Sequence, residues 1–195
     1  MKALKITGIV VLAIVAIAIV SVAVMSPKSH IERSVVINAE PAAVYAEISN
    51  FKNFNTWSPW AALDPNTKYS FEGPEIGIGA KMNWVSENDN VGQGSQWIID
   101  TEENKRVKTG MQFSGFEGEF TAEFILEPVE GGTKVTWTYN GDVSNTPVMN
   151  AAMGKFFGVF TDSMLGPQYE QGLAQLKQKV ESNPAPEQEK QEQQQ

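Results

Sequence analysis

One histidine and no cysteine leave this chain of 195 residues few routes to covalent or metal chemistry. The histidine, His30, precedes the first strand-like stretch. A Ser–His or Cys–His pair would have to be built on that edge position. A zinc site rich in histidine is excluded, and so are disulfides, thiolate nucleophiles and cysteine-held metals. The carboxylates offer little more. Glu117, Glu119 and Glu123 alternate with Phe120 and Phe124 and so share the solvent face of a strand. Asp64, before Pro65, has the position of a turn initiator. Asp100 closes a strand and reads as solvent-facing. Acid–base chemistry would need a buried carboxylate of shifted pKa. The pattern shows none, although a loop acid such as Glu72 or Glu75 would be able to enter a cavity. No catalytic residue, metal ligand or cofactor is assigned.

Large apolar side chains at alternating spacing are far more numerous. Trp84, Trp97, Phe113, Phe124, Trp137 and Tyr139 fall in successive strand-like stretches and are expected to look the same way. Small-molecule sites are mainly apolar and aromatic, with a few polar anchors. The indoles and the phenol supply such anchors. Ordinary core needs the same side chains, so core and lining both stay open at this level. Trp57 and Trp60 flank Ser58 and Pro59 in the stretch FNTWSPWAALDP. Pro59 argues against a regular helix or central strand there. This loop is expected to close one end of the domain, its tryptophans plugging the core or lining a cavity. Phe156, Phe160 and Met164 complete the candidate lining from a helix that follows the strands.

The elements that must position these residues are legible from periodicity. IERSVVIN, residues 31–38, alternates as a strand with Ile31, Arg33, Val35 and Ile37 on one face. Pro41 then opens a short helix over 41–51, with Val44, Ile48 and Phe51 on one stripe. From Lys68 onward, alternating stretches are broken by glycine turns, including Gly131 and Gly132. They predict an antiparallel meander of about six strands. Its aromatic face needs a cover. The cover is a helical pattern over 148–165, with Thr146 and Pro147 as N-cap and first position, interrupted at Gly166 and Pro167. A second, amphipathic helix carries Tyr169, Leu173, Leu176 and Val180. Residues 148–165 hold only Lys155 and Asp162 as charges. That segment is read as packing on the sheet, as a lid over a cavity mouth, or as a contact with a bilayer.

Residues 6–25 carry no charge and are long enough, at about 30 Å, to span a bilayer core. Lys2 and Lys5 precede them, which keeps the N-terminus (residues 1–5) cytoplasmic and places the rest outside. A cleaved signal peptide, with Ser21, Val22 and Ala23 as the cleavage site, is the rival reading, but its apolar region would be shorter. Residues 26–29 then form a linker, 30–182 a single domain, and 183–195, rich in Pro, Glu and Gln, a disordered tail. The net charge of −8 and the lack of a basic patch speak against a nucleic-acid partner.

The order of strand, short helix, strands and long helix resembles the helix-grip fold of the START/Bet v-type (SRPBCC) superfamily, and most closely its bacterial polyketide cyclase/dehydrase-like branch. The residues that carry the resemblance are Arg33 to Ile37 with Pro41, the block Trp57, Ser58, Pro59, Trp60 with Leu63, Asp64 and Pro65, and the turn Gly77, Ile78, Gly79, Ala80. Gly92 to Gly94, Phe124 with Leu126 to Pro128, Gly132 to Trp137, and Gly166, Pro167 with Gly172 to Lys177 complete it. The resemblance implies an α+β fold in which a curved antiparallel sheet wraps a long C-terminal helix and encloses an apolar ligand. It carries over no catalytic set. The expected protein is a membrane-anchored, extracytoplasmic domain that binds a lipid, quinone, fatty acid or similar hydrophobic molecule. A polyketide cyclase-like or hydratase-like enzyme and a protein-interaction domain are the alternatives.

Overall fold

Alternation builds the sheet. In the computed structural model, which describes residues 2–182, strand β1 (Lys28–Ile37) keeps Ile31 and Ile37 buried and Lys28, His30 and Glu32 exposed. It begins two residues before the domain boundary drawn from sequence, so the linker is correspondingly shorter. Six further strands follow: β2 (Lys68–Glu72), β3 (Lys81–Val85), β4 (Gln93–Glu102), β5 (Arg106–Phe113), β6 (Glu119–Val129) and β7 (Gly132–Asp142). All pair antiparallel in one sheet of order β1-β7-β6-β5-β4-β3-β2. β1 crosses over to pair with the last strand, and the rest is a meander. A register shift between Ile98 and Asp100 adds local twist to β4.

The helices ahead of β2 correct two expectations. The helix read over 41–51 is two helices, α2 (Pro41–Ile48) and α3 (Phe51–Phe54). Asn50 divides them, because its side chain accepts from the Lys52 N–H at 2.8 Å and caps the second. Val44, Ile48 and Phe51 are nevertheless all buried, as their spacing requires. The stretch taken as a loop contains α4 (Pro59–Leu63), with Pro59 at its first position. There the missing N–H costs nothing and the fixed φ suits a helix start. Asp64 ends that stretch as a turn former, accepting from the Asn66 N–H at 2.9 Å and the Ser86 hydroxyl at 2.5 Å.

The C-terminal helices break elsewhere than expected. α5 (Val148–Gly158) ends at Val159 and Phe160, and α6 (Thr161–Ser182) runs through Gly166 and Pro167 without interruption. Pro147, not Thr146, stands at the N-cap of α5; the Thr146 hydroxyl instead donates to the Val143 carbonyl. Gly166 is there for space. A Cβ on it would sit 2.6 Å from the Arg33 guanidinium, which reaches across to Asp162 and Glu170 at 2.8 and 2.7 Å. α6 buries Tyr169, Leu173, Leu176 and Val180 against β1, β7 and α4, so the sheet grips the helix as the resemblance implies. A helix ahead of the domain, α1 (Lys2–Val24), includes Ile6–Val24, long and apolar enough to cross a membrane. Membrane anchors and signal sequences share that property. The tail assigned to 183–195 lies outside the described residues.

One contact sets how deeply α6 sits. A Cβ on Gly172 would lie 2.8 Å from the Trp137 ring and 3.1 Å from Pro59. Helix propensity alone favours replacing this glycine. We expect the opposite: Gly172→Val destabilises the domain by about 1–3 kcal/mol, the cost of overpacking. Urea unfolding followed by far-UV circular dichroism checks it, and a gain in stability would contradict this packing.

Candidate ligand cavity

Between the concave face of the sheet and the C-terminal helices lies a cavity of about 440 Å³. The pairing register explains its walls. Met82, Gln96, Met111 and Phe120 are successive cross-strand partners and all line it. One row nearer the rim, Trp84 and Phe113 flank Gly94, whose missing side chain leaves room for the Trp84 ring. Trp137, Tyr139, Tyr169 and Trp60 form the inner end. Ser26 to Ser29, the segment 89–93, Phe116 and the inner side of α5 contribute the side next to α1.

The sequence-derived candidates divide. Trp60, Trp84, Phe113, Trp137, Tyr139 and Met164 line the cavity. Trp57 does not. It is 3% exposed, edge-on to Phe54, Phe124 and Trp137, and its indole N–H donates to the Glu47 carbonyl at 3.3 Å. It is the plug of the pair, and Trp60 is the lining. Phe124 is also core, stacked on Trp137 at 4.7 Å.

Trp97 is on the opposite face from the one expected. Its neighbours Gln96 and Ile98 point inward, and Trp97 lies outside across Gly110, where a Cβ would meet the indole at 2.8 Å. Both parities of GSQWIIDT carry apolar residues, so alternation alone does not choose between them. The register chose the parity with glutamine inside, where Gln96 donates to the Thr109 hydroxyl at 2.9 Å. Phe156 and Phe160 face away from the cavity and are about half exposed. The loop acids stay outside too. Glu72 pairs with Lys81, and Glu75 with Lys52. His30 is exposed beside Asn140. Among the lining residues missed by sequence reasoning are Phe54, Met82, Gln96, Met111, Phe120 and Tyr169. Tyr169 had a signal, as the first residue of the apolar stripe on the last helix.

The electrostatics of the lining are those of neutral groups. Burial pushes the Tyr139 phenol up to about 12, against a smaller opposing effect of its hydrogen bond with Ser29. Burial, and then the neighbouring Tyr139, raises the Tyr169 phenol as well. Tyr69, at the edge of the sheet, is raised by burial. The Trp137 indole N–H is buried and has no acceptor among the described residues. An unmade hydrogen bond of that kind costs about 1–3 kcal/mol. The charged residues of the lining, Lys28, Asp89 and Glu117, are exposed and stand at the rim.

Comparison with known proteins agrees with this architecture. The chain is similar in structure to a protein of Nitrosospira multiformis (TM-score 0.56, 21% identity, 79% of this chain and 99% of that one). It is similar to a protein of Thermobifida fusca (TM-score 0.57, 17% identity, 78% and 93%), and to Ara h 8.0201 (TM-score 0.52, 14% identity, 80% and 99%). At these identities the likeness concerns the fold. No curated protein matches the sequence. The family described as polyketide cyclase / dehydrase and lipid transport matches residues 28–181, nearly the whole of the sheet and its helices. The chain therefore belongs to the polyketide cyclase / dehydrase and lipid transport family.

Proposed function

We propose that the domain binds an uncharged, mainly apolar molecule, such as a lipid or a quinone, and that α1 holds it at the outer side of a membrane. The observation that carries this reading is the cavity itself. It is large enough for a small ligand, walled by aromatic and methionine side chains, and free of charged side chains in its buried part. The phenols of Tyr139 and Tyr169 and the unpaired N–H of Trp137 are hydrogen-bond donors that suit a carbonyl or hydroxyl oxygen. A carboxylate or phosphate would lose its hydration there with no cation to compensate. Lys28, at the rim, is the cation of the lining, so the head of a fatty acid would stay at the mouth.

The enzyme alternative is less well supported by the same lining. Cyclisation or dehydration needs a proton acceptor beside a donor. The buried wall offers phenols held neutral, and its carboxylates, Asp89 and Glu117, stand at the rim. The anchor and the outward topology rest on the apolar length of Ile6–Val24 and on the lysines that precede it.

Organic extraction and native mass spectrometry of the purified chain should recover an apolar compound bound one to one. A ligand at about 100 times its Kd should raise stability by about 2.7 kcal/mol. Met111→Trp, which fills the void, should abolish both effects while leaving the unliganded chain folded. Recovery of nothing, with a flat response to a panel of lipids and quinones, would overturn the reading.

The buried phenols also fix a dependence on pH. Below about pH 10 phenols are protonated in folded and unfolded chains alike. As pH rises through about 10 the unfolded chain ionises, whereas Tyr139 in the folded chain keeps its proton until about 12. Stability is therefore complete below the unfolded value and falls across that window. Urea unfolding between about pH 9 and about pH 11 should show this loss, and Tyr139→Phe should make it shallower. Ionisation of every tyrosine in the folded chain near the ordinary value would contradict the buried phenols.

A further inference from the structure

The outer face of α5 is unlike the surface around it. α5 buries no residue completely, and its outward positions are Val148, Met149 and Phe156, followed by Val159 and Phe160 in the turn before α6. Val148 is 88% and Met149 72% exposed. Phe156 and Phe160 pack on each other at 5.5 Å, with much of both rings facing outward. A contiguous apolar patch of this kind marks a contact surface. The only charge in α5 is Lys155.

The chain itself says what lies against this patch. Lys155 Nζ donates to the Ala23 carbonyl at 3.4 Å, so α5 packs beside the C-terminal end of α1. If α1 spans a bilayer, Ile6–Val24 covers about 28 Å and is used up in crossing the hydrocarbon core. Its last turn then stands at the interface. From Met25 to Pro27 the chain has three residues before β1, a reach of about 10 Å. The Val143 N–H donates to the Pro27 carbonyl at 3.0 Å, which ties that short segment to the end of β7. The domain therefore has no slack with which to lift α5 away from the leaflet. The acidic net charge of the chain offers no electrostatic attraction to anionic lipids, so burial of the apolar face must supply the contact.

The cavity opens at the same place. Ser26 to Ser29 and the inner side of α5 form its rim, where Phe157 meets Phe116 edge-on at 6.4 Å. We propose that the outer face of α5 lies in the interfacial layer of the leaflet in which α1 ends, and that the cavity exchanges its ligand directly with that leaflet past Phe116 and Phe157. The exchange step rests on the ligand-binding reading above; the bilayer contact does not. A water-soluble carrier hides its apolar mouth from solvent. Here the apolar face of α5 beside the mouth stays exposed because it faces lipid, and the charged rim residues Lys28, Asp89 and Glu117 sit at headgroup level.

The test uses the full chain reconstituted in phosphatidylcholine vesicles. The chain has no cysteine, so single nitroxide labels can be placed at Met149→Cys and Phe156→Cys, with Glu130→Cys in the β6–β7 turn, at the far end of the sheet, as the aqueous reference. Labels at 149 and 156 should collide more with oxygen than with a water-soluble nickel chelate, and the label at 130 the reverse. Equal, water-like accessibility at all three positions overturns the bilayer contact. So does dipolar broadening at 149 or 156, which would show a second copy on the face. Uptake of a pyrene-labelled fatty alcohol from the vesicles should be about tenfold slower for the double variant Phe156→Glu, Phe160→Glu, since two charges oppose interfacial burial. Occupancy of that variant in detergent should be unchanged, because neither residue lines the cavity. Equal uptake rates overturn the exchange route. A probe that binds neither chain in detergent overturns the ligand-binding reading, and the label positions then judge the bilayer contact alone.

Discussion

The ring of Trp137 is the contact on which the other parts depend. It stacks on Phe124 at 4.7 Å and on Tyr169 of α6 at 4.0 Å, and it takes the edges of Phe54, Trp57 and Trp60. Sheet, C-terminal helix and the short helices before β2 therefore meet at one side chain. Gly172 allows the helix to come down onto that ring, and Pro59 closes the far side of the glycine. Aromatic pairs in these geometries add about 0.5–1.5 kcal/mol each beyond the area they bury. The cluster also forms the floor of the cavity. A rigid floor explains how a void persists beside tightly packed core: the rings are held on both faces and cannot collapse into it.

The two ends of the molecule then take different characters. Around Trp57 and α3 the gap between helix and sheet is filled, and several polar groups are paired, the buried Ser49 hydroxyl being an exception among the described residues. The Tyr45 hydroxyl meets Thr101 at 2.8 Å, and Arg106 bridges Asp100 and Glu123. Toward α1 the packing thins. α5 covers the cavity without burying any residue fully, and two glycines, Gly154 and Gly158, are part of its inward face. Arg33 fastens the start of α6 to β1 through two exposed acids, a contact that orients more than it stabilises. Full burial is thus concentrated at the closed end, and the end next to α1 is the more thinly packed one.

This division gives the apolar surface of α5 a use. A helix of Val, Met and Phe directed outward would be a liability in a freely diffusing domain. Beside α1, three residues away along the chain and itself apolar, it continues the apolar surface of that helix. The deep wall, with its neutral phenols and unpaired indole N–H, and the rim, with Lys28, Asp89 and Glu117, divide the lining into a neutral inner part and a charged outer part.

The sequence alone determined the elements and most of their inward faces. Alternation in β1 and β6 matched the buried face because each of those strands has one mainly apolar and one mainly polar parity, whereas in β7 Thr136 and Thr138, on the polar parity, are buried as well. The motif blocks identified the family for the same reason that they fold: prolines and glycines stand where only they fit. Periodicity could not decide what depends on partners distant in the chain. Trp97 went outward because the opposite strand presents Gly110 there. Trp57 and Trp60, three residues apart, became plug and lining because Phe54 and Phe124 surround one and the cavity borders the other. α6 runs through Gly166 and Pro167, and Arg33, more than a hundred residues away, occupies the space beside the glycine and pairs with Asp162 and Glu170 on either side of it. Size and polarity are properties of a residue and can be read along the chain. Which side of a residue is left empty is a property of its neighbours, and only the folded arrangement assigns it.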